Sequence, residues 1–142
     1  MRSGISILFC FVALTFTAVG LDKSADCKTL SYENRNQVDY GPLRMAIIGG
    51  TAEDSQRVPI PDVCVGVFTE VDHKLVAVVS TDQRGRFELK GIPEGNYRLV
   101  VKYEGFSPAN AKVRIEHSRR NKLLTVQMRP TGLDSGSVVI QK

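Results

Sequence analysis

The sequence predicts an all-β protein, either a sandwich of seven short strands or a barrel built from similar strands. Short apolar or alternating runs recur from Pro42 onward, roughly every eight to twelve residues, with turn residues between them. No window of helical length keeps a period of 3.6 residues. The twelve glycines and six prolines lie mostly between the runs, where they punctuate strands.

Residues 1–20 are predicted to be a secretory signal peptide that is cleaved before Leu21. Arg2 supplies the positive start, residues 5–18 are apolar, and the segment ends in small residues that signal peptidase accepts. The alternative is a membrane anchor, but the apolar run is shorter than the ~20 residues that span a bilayer. We therefore expect a secreted or periplasmic protein with no membrane span after cleavage.

The remaining chain is predicted to comprise an N-terminal arm, residues 21–41, and one folded domain, residues 42–142. Cys27 lies in the arm and Cys64 in the domain, separated by 37 positions. Export favours a disulfide between them, whereas two free thiols would require a reducing compartment. The valines beside Cys64 alternate with it and are expected to face the core. Cys64 then points outward, and the bridge straps the arm across the outer face of its sheet.

Seven runs are predicted as strands, with one additional edge strand near the end of the chain. These are residues 43–48, 63–69, 75–81, 86–89, 96–103, 112–116 and 123–129, with 138–140 as the edge strand. The first run is expected to end at Gly49 and Gly50. In the run 96–103 apolar residues alternate with Arg98 and Lys102, so a slip of one residue would put both charges in the core.

A tight turn is predicted between the third and fourth runs, at residues 82–85. Asp82 opens it, because an aspartate accepts hydrogen bonds from the backbone N–H groups that follow. Gly85 closes it, because glycine adopts the positive φ that such a turn needs. Phe87 and Leu89 then point to one face of the next strand, which is expected to be the core face.

These turns and strands carry a resemblance to a known family. The residues that carry it are Thr81-Asp82-x-x-Gly85-x-Phe87, Ile92-Pro93-x-Gly95-x-Tyr97-x-Leu99-x-Val101 and Gly105-Phe106. The pattern covers about residues 43–129 and resembles the carboxypeptidase regulatory-like domain. The resemblance implies a seven-stranded, Greek-key, prealbumin-like (transthyretin-like) β-sandwich, which is also grouped with carbohydrate-binding-like folds. Such domains are usually non-catalytic, and carbohydrate or protein binding is often inferred for them.

The hydroxyisourate hydrolases share the prealbumin-like fold, but their C-terminal Tyr-Arg-Gly-Ser has no match in residues 137–142. His73 and His117 lie in different turns, and neither has a partner at metal-ligand spacing. No nucleophile elbow or phosphate-binding loop is present, and nothing selects a pair of carboxylates for glycoside hydrolysis. We therefore predict a protein that is not an enzyme and needs no cofactor or metal.

Four residues are candidates for ligand binding: Tyr103, Phe106, Arg119 and Arg120. The two aromatic residues could stack on sugar rings, or they could close the end of the core. The basic run 117–122 is either a solvated loop or an edge that binds anions, such as acidic polysaccharide or phosphate-bearing polymers. The formal charge of +4 is too small to indicate nucleic acid binding.

The predicted function is therefore an exported, non-catalytic module. It would bind a polysaccharide, or an envelope or secreted protein, through its loops and one sheet face. The alternative is a structural spacer of an envelope assembly that has no discrete ligand.

Overall fold

The structure, a computed structural model, describes residues 27, 30–32, 41–132 and 137–140. These residues form eleven β-strands in two packed sheets and one short ladder. The strands are β1 (Leu43–Met45), β2 (Ile48–Glu53), β3 (Cys64–Thr69), β4 (Leu75–Ser80), β5 (Arg86–Leu89), β6 (Gly95–Lys102), β7 (Phe106–Ser107), β8 (Ala109–Ile115), β9 (Leu124–Gln127), β10 (Arg129–Pro130) and β11 (Ser137–Ile140). The all-β prediction is confirmed. The predicted number of seven strands is not confirmed, because the described residues divide into more and shorter strands.

The larger sheet has the strand order β1-β8-β6-β3-β4, and the smaller sheet has the order β11-β9-β2-β5. Neighbouring strands are antiparallel except in two pairs, β1 with β8 and β2 with β9. The inner faces of both sheets meet in one apolar core. Its fully buried members include Met45, Ile48, Val65, Leu99, Val101, Val113, Leu124, Val126 and Met128. This arrangement is the prealbumin-like sandwich that the resemblance implies.

The first predicted strand is wrong in its bounds, because residues 43–48 belong to two strands in different sheets. The chain leaves the larger sheet after Met45 and enters the smaller sheet at Ile48. Gly49 and Gly50 do not end a strand but lie inside β2. A Cβ atom on Gly50 would stand 2.1 Å from the backbone oxygen of Leu124 in β9. Glycine is therefore present because a neighbouring backbone approaches closely, which local sequence does not reveal.

The other predicted strands are formed, but two of them differ clearly in their bounds. Residues 112–116 belong to a longer strand, β8, that begins at Ala109. Residues 123–129 divide between β9 of the smaller sheet and β10 of the separate ladder. Phe87 and Leu89 of β5 face the core, as do Leu99 and Val101 of β6. The edge strand near the chain end is formed as β11 and pairs with β9. The two-residue ladder of β7 with β10 was not predicted, since strands this short carry no periodic signal.

The disulfide between Cys27 and Cys64 is formed, with the two Cα atoms 5.3 Å apart. It holds the described part of the arm against the outer face of the larger sheet. Leu30 is buried there with Phe68 and Val100, and it lies over Gly66. The prediction that Cys64 points outward and straps the arm over the sheet is confirmed.

Arg98 is buried on that outer face, although a lone arginine on an outward position is expected to reach solvent. The ring of Tyr32 lies 5.9 Å from its guanidinium, and Glu70 accepts a hydrogen bond from its Nε at 2.9 Å. Asn110 accepts a second hydrogen bond from Nη1 at 3.4 Å. A buried charge needs such partners. The sequence contains a signal for this buried arginine. The predicted disulfide lays the arm over the outer face of the sheet, and the alternation in β6 places Arg98 on that face.

The predicted signal peptide, residues 1–20, and most of the predicted arm lie outside the described residues. Within the part of the chain that the structure describes, there is no helix with the length and apolar character to cross a membrane.

Candidate functional site

A groove of about 450 Å³ lies on the outer face of the smaller sheet, and we call it the outer groove. Side chains in β2 and β5 point alternately into the core and away from it. Ile48, Phe87 and Leu89 are the residues of these strands that point into the core. The residues between them point outward, and the loop before β9 closes one side. The main lining residues are Gly49, Thr51, Asp82, Arg86, Glu88, Asn121 and Leu123.

The outer groove combines donors, acceptors and one apolar surface. Arg86 and Glu88 present opposite charges from β5, next to Thr51 of β2. Leu123 is 52% exposed at the side of the groove formed by the loop. Gly49 has no side chain, so a ligand can approach the backbone of β2 at this point. A polar surface of this mixed kind is suited to hydrogen bonding with an extended, hydroxyl-rich or charged ligand.

Asp82 fixes one end of the outer groove through the turn predicted from the sequence. Its Oδ1 accepts hydrogen bonds from the backbone N–H groups of Arg84 at 2.8 Å and Arg86 at 2.9 Å. Its Oδ2 accepts a hydrogen bond from Nε of Arg86 at 3.0 Å. Gly85 has the expected positive φ of 68°. The hydrogen bond from the Arg86 backbone, followed by that from Arg84 and by the Arg86 guanidinium, lowers the pKa of Asp82.

Replacement of Asp82 by alanine should destabilise the fold at neutral pH and progressively less as the pH falls. The pKa of Asp82 is lower in the folded protein than its ordinary value. Its contribution is therefore complete above the unfolded-state pKa and is lost as pH falls through the folded-state pKa. Urea unfolding of both proteins at pH 7 and near pH 3 measures this difference. Asp82→Asn, which keeps an acceptor oxygen, should lose less stability at pH 7. If Asp82→Ala lost the same stability at both pH values, the lowered pKa of Asp82 in the folded protein would be contradicted.

The loop between β8 and β9 carries the predicted basic residues and forms one wall of the outer groove through Asn121 and Leu123. Glu116 at its start contacts three guanidinium groups: Arg119 at 2.8 Å, Arg114 at 2.9 Å and Arg44 at 3.8 Å. The hydrogen bond from Arg119, together with the three positive charges, lowers the pKa of Glu116. One carboxylate facing three guanidinium groups leaves a surplus of positive charge.

Arg119 and Arg120, two of the four predicted binding residues, thus belong to a loop that also shapes the groove. Both are exposed, and Arg120 immediately precedes Asn121 in the groove wall. The basic loop is evident in the sequence, whereas the groove beside it is not. The groove depends on Gly49 and Thr51 of β2. The sequence predicted that a strand ends at Gly49, so it did not place either residue on a sheet face.

Tyr103 and Phe106 are not brought together with the two arginines. The aromatic pair lies beside the start of β8 at Ala109, and the basic loop follows the end of β8 at Ile115. Six residues of strand separate these points by about 20 Å. The two rings lie 5.8 Å apart and pack against the core. Phe106 also pairs with Pro130 in the β7–β10 ladder. Of the two roles expected for these aromatic residues, this packing corresponds to closing the end of the core.

Among the residues that the structure describes, neither histidine belongs to a group of potential metal ligands. The ring of His73 stacks on Tyr32 with centroids 3.8 Å apart, and Nε2 of His117 lies 3.2 Å from the backbone oxygen of Ile92. In the described ranges, no three residues among His, Cys, Asp and Glu are placed to hold a metal ion together.

Comparison with known proteins places this fold and its motifs in a family. The model of the carboxypeptidase regulatory-like domain matches residues 47–129, which is more than half of the chain. The chain belongs to the carboxypeptidase regulatory-like domain family. No curated protein matches the sequence.

Solved structures with a similar fold include two enzymes. A 5-hydroxyisourate hydrolase of Klebsiella pneumoniae superposes with a TM-score of 0.52 at 19% identity, over 70% of this chain and 96% of the hydrolase. An (S)-allantoin synthase superposes with a TM-score of 0.50 at 12% identity, over 70% of this chain and 45% of the synthase. Identities this low show a shared fold and do not transfer an activity.

Proposed function

We propose that this protein is an exported, non-catalytic module that binds an anionic polysaccharide through the outer groove and the adjoining basic loop. The observation that carries the proposal is the position of the loop. It forms a wall of the groove through Asn121 and Leu123, and it presents Arg119 and Arg120 beside that wall. Hydroxyl groups of a glycan would meet the polar groove, while its carboxylate or sulfate groups would meet the arginines.

The chemistry of the site supports this ligand class. Guanidinium groups bind carboxylate and sulfate in a planar, two-point geometry, and Glu116 already orients Arg119 by a hydrogen bond. Inside the groove, the charge of Arg86 is offset by Asp82, so that wall favours neutral hydrogen-bonding groups. The disulfide supports export, because such bonds persist in oxidising compartments.

Two carboxylates at the site, Asp82 and Glu116, are unsuited to act as the acid in glycoside hydrolysis. A general acid for glycoside cleavage needs a raised pKa, so that it stays protonated near neutral pH. The pKa values of Asp82 in the groove and Glu116 beside it are both lowered by hydrogen bonds from arginines. Both groups are therefore ionised and engaged in holding neighbouring residues in position.

Replacement of both Arg119 and Arg120 by alanine should weaken binding to acidic glycans about tenfold or more, since each lost charged hydrogen bond removes roughly 1.5–3 kcal/mol when well formed. The measurement is binding of the disulfide-bonded protein to an array of acidic and neutral glycans, followed by titration of the strongest ligand at several salt concentrations. The matched control is Arg57→Gly with Lys102→Ala. It also removes two positive charges but lies at the other end of the sandwich.

Equal loss of affinity in both double variants would show that net charge, and not the loop, is responsible. Binding of neutral glycans alone, unaffected by either variant, would contradict the anionic ligand. An array with no bound glycan would favour the alternative of a structural spacer without a discrete ligand.

A further inference from the structure

Three arginines from three different elements converge on the carboxylate of Glu116, at the edge of the larger sheet. Nε of Arg119, in the basic loop, lies 2.8 Å from Oε2. Nε of Arg114, in β8, lies 2.9 Å from Oε1, and Nη1 of Arg44, in β1, lies 3.8 Å from the same oxygen. We call these three arginines the arginine cluster. It adjoins the proposed glycan site, because Arg119 belongs to both.

The backbone fixes the positions of the arginine cluster. Arg44 and Arg114 are direct partners in the parallel ladder of β1 with β8. Each lies between two residues that pack in the core, so both side chains point to the outer face of the sheet. The N–H of Glu116 donates to the backbone oxygen of Met45 at 2.9 Å, and the N–H of Arg119 donates to that of Glu116 at 2.9 Å. The sheet and one turn therefore bring the three guanidinium groups together before any ligand binds.

The region around the cluster carries more positive than negative charge. Glu116 is one carboxylate against three guanidinium groups. Glu94 also contacts the loop, where its Oε1 accepts a hydrogen bond from the backbone N–H of His117 at 2.7 Å. Arg120 and Lys122, both exposed, add two further cations to the same loop. Among the described residues, cations are thus in surplus here, and a bound anion would relieve their mutual repulsion.

Hydrogen-bond donors of the cluster remain accessible to a ligand. The N–H donors of three guanidinium groups far outnumber the acceptor sites of one carboxylate. The side chains of Arg44, Arg114 and Arg119 are 51%, 47% and 54% exposed. About half of each side chain is therefore open to solvent, so donors that Glu116 does not engage can reach an anion.

We infer that the arginine cluster binds a tetrahedral oxyanion ester, a sulfate or phosphate group carried by the polysaccharide, in preference to a carboxylate. Such an ester presents three terminal oxygens in different directions, which donors from three elements can reach together. A carboxylate presents two oxygens in one plane, and a single guanidinium group can satisfy both. The inference rests on the proposed function for the polymer that carries the group, but not for the anion site itself.

The first measurement uses inorganic ions and the mature chain with its disulfide intact. The Nε–H resonances of the arginine side chains are followed by NMR during titration with sulfate, phosphate or acetate at constant ionic strength. Sulfate or phosphate should shift the resonances of Arg44, Arg114 and Arg119 with one common dissociation constant. Acetate should require a concentration at least about tenfold higher, since it lacks the third oxygen. An equal or stronger response to acetate would overturn the inference.

The second measurement compares three polysaccharides of similar charge density: a sulfated polymer, a phosphorylated polymer and a uronic acid polymer. The wild type should bind the better of the two esters at least about tenfold more tightly than the uronic acid polymer. Arg44→Gln with Arg114→Gln should abolish this preference. Binding of the uronic acid polymer should change little, because Arg119 and Arg120 remain. The sulfated and phosphorylated arms identify which ester the site takes.

Arg57→Gly with Lys102→Ala is the matched control, because it also removes two positive charges but at the other end of the sandwich. This variant should keep the preference for the ester, and thermal unfolding confirms that each variant is folded. If the preference survives in Arg44→Gln with Arg114→Gln, or is lost equally in the control, the inference is wrong even though acidic glycans bind. If no glycan binds but sulfate or phosphate shifts the three resonances together, the proposed function fails and the anion site stands.

Discussion

Replacement of Gly50 by alanine is expected to lower the free energy of unfolding by about 3 kcal/mol or more. The new Cβ would stand 2.1 Å from the backbone oxygen of Leu124 and 2.8 Å from its carbonyl carbon. Backbone atoms cannot rotate away as a flexible side chain can, so β2 and β9 must move apart. Their parallel pairing joins the two central strands of the smaller sheet. Urea unfolding with an unchanged m-value would measure the loss.

Gly49→Ala is the matched control, because the neighbouring glycine lies in the same strand. Its Cβ would meet its nearest atom, the backbone oxygen of Phe87, at 3.4 Å, which is ordinary contact. We expect a change within about 1 kcal/mol, since removing a glycine also reduces the entropy of the unfolded chain. Similar losses in both variants would show that a general intolerance of β2, and not the approach of β9, requires glycine.

Removal of the disulfide by the double replacement Cys27→Ala with Cys64→Ala should cost about 4 kcal/mol of stability in the chain-entropy model. The bond closes a loop of 37 residues between the arm and β3. Its loss also frees Leu30 and Tyr32 from the outer face of the larger sheet, which would admit water to Arg98 and Glu70. Chemical denaturation of both proteins under non-reducing conditions measures the difference, and reduction of the wild type should produce a shift in the same direction.

Leu30→Ala separates the cross-link from the packing that it secures. This variant keeps the disulfide but removes the side chain that covers Gly66. Leucine to alanine at a buried site costs about 2–5 kcal/mol, and a site at the protein surface should fall at the low end. If the double cysteine variant loses less than about 1 kcal/mol, the arm does not depend on the bond, and the strap contributes little to stability.

The sequence by itself determined the local features of this protein. The alternation in β5 and β6 identified their core faces, because side-chain direction in a strand depends only on its own period of two residues. Asp82 and Gly85 identified a turn, because the hydrogen bonds and the positive φ of that turn arise within four consecutive residues. Of the three cysteines, Cys10 lies in the predicted signal peptide, so Cys27 and Cys64 left one pairing, and the direction of Cys64 followed from its strand.

Only the tertiary structure decided which distant residues became neighbours. Gly49 and Gly50 read as a strand end, yet they lie within β2, because the approach of the Leu124 backbone is a property of strand order. Arg98 is buried because the arm covers its face. Tyr103 and Arg119 lie near opposite ends of β8. The basic loop forms a wall of the outer groove beside β2. The pairing of strands far apart in the chain sets these distances, and no local pattern encodes it.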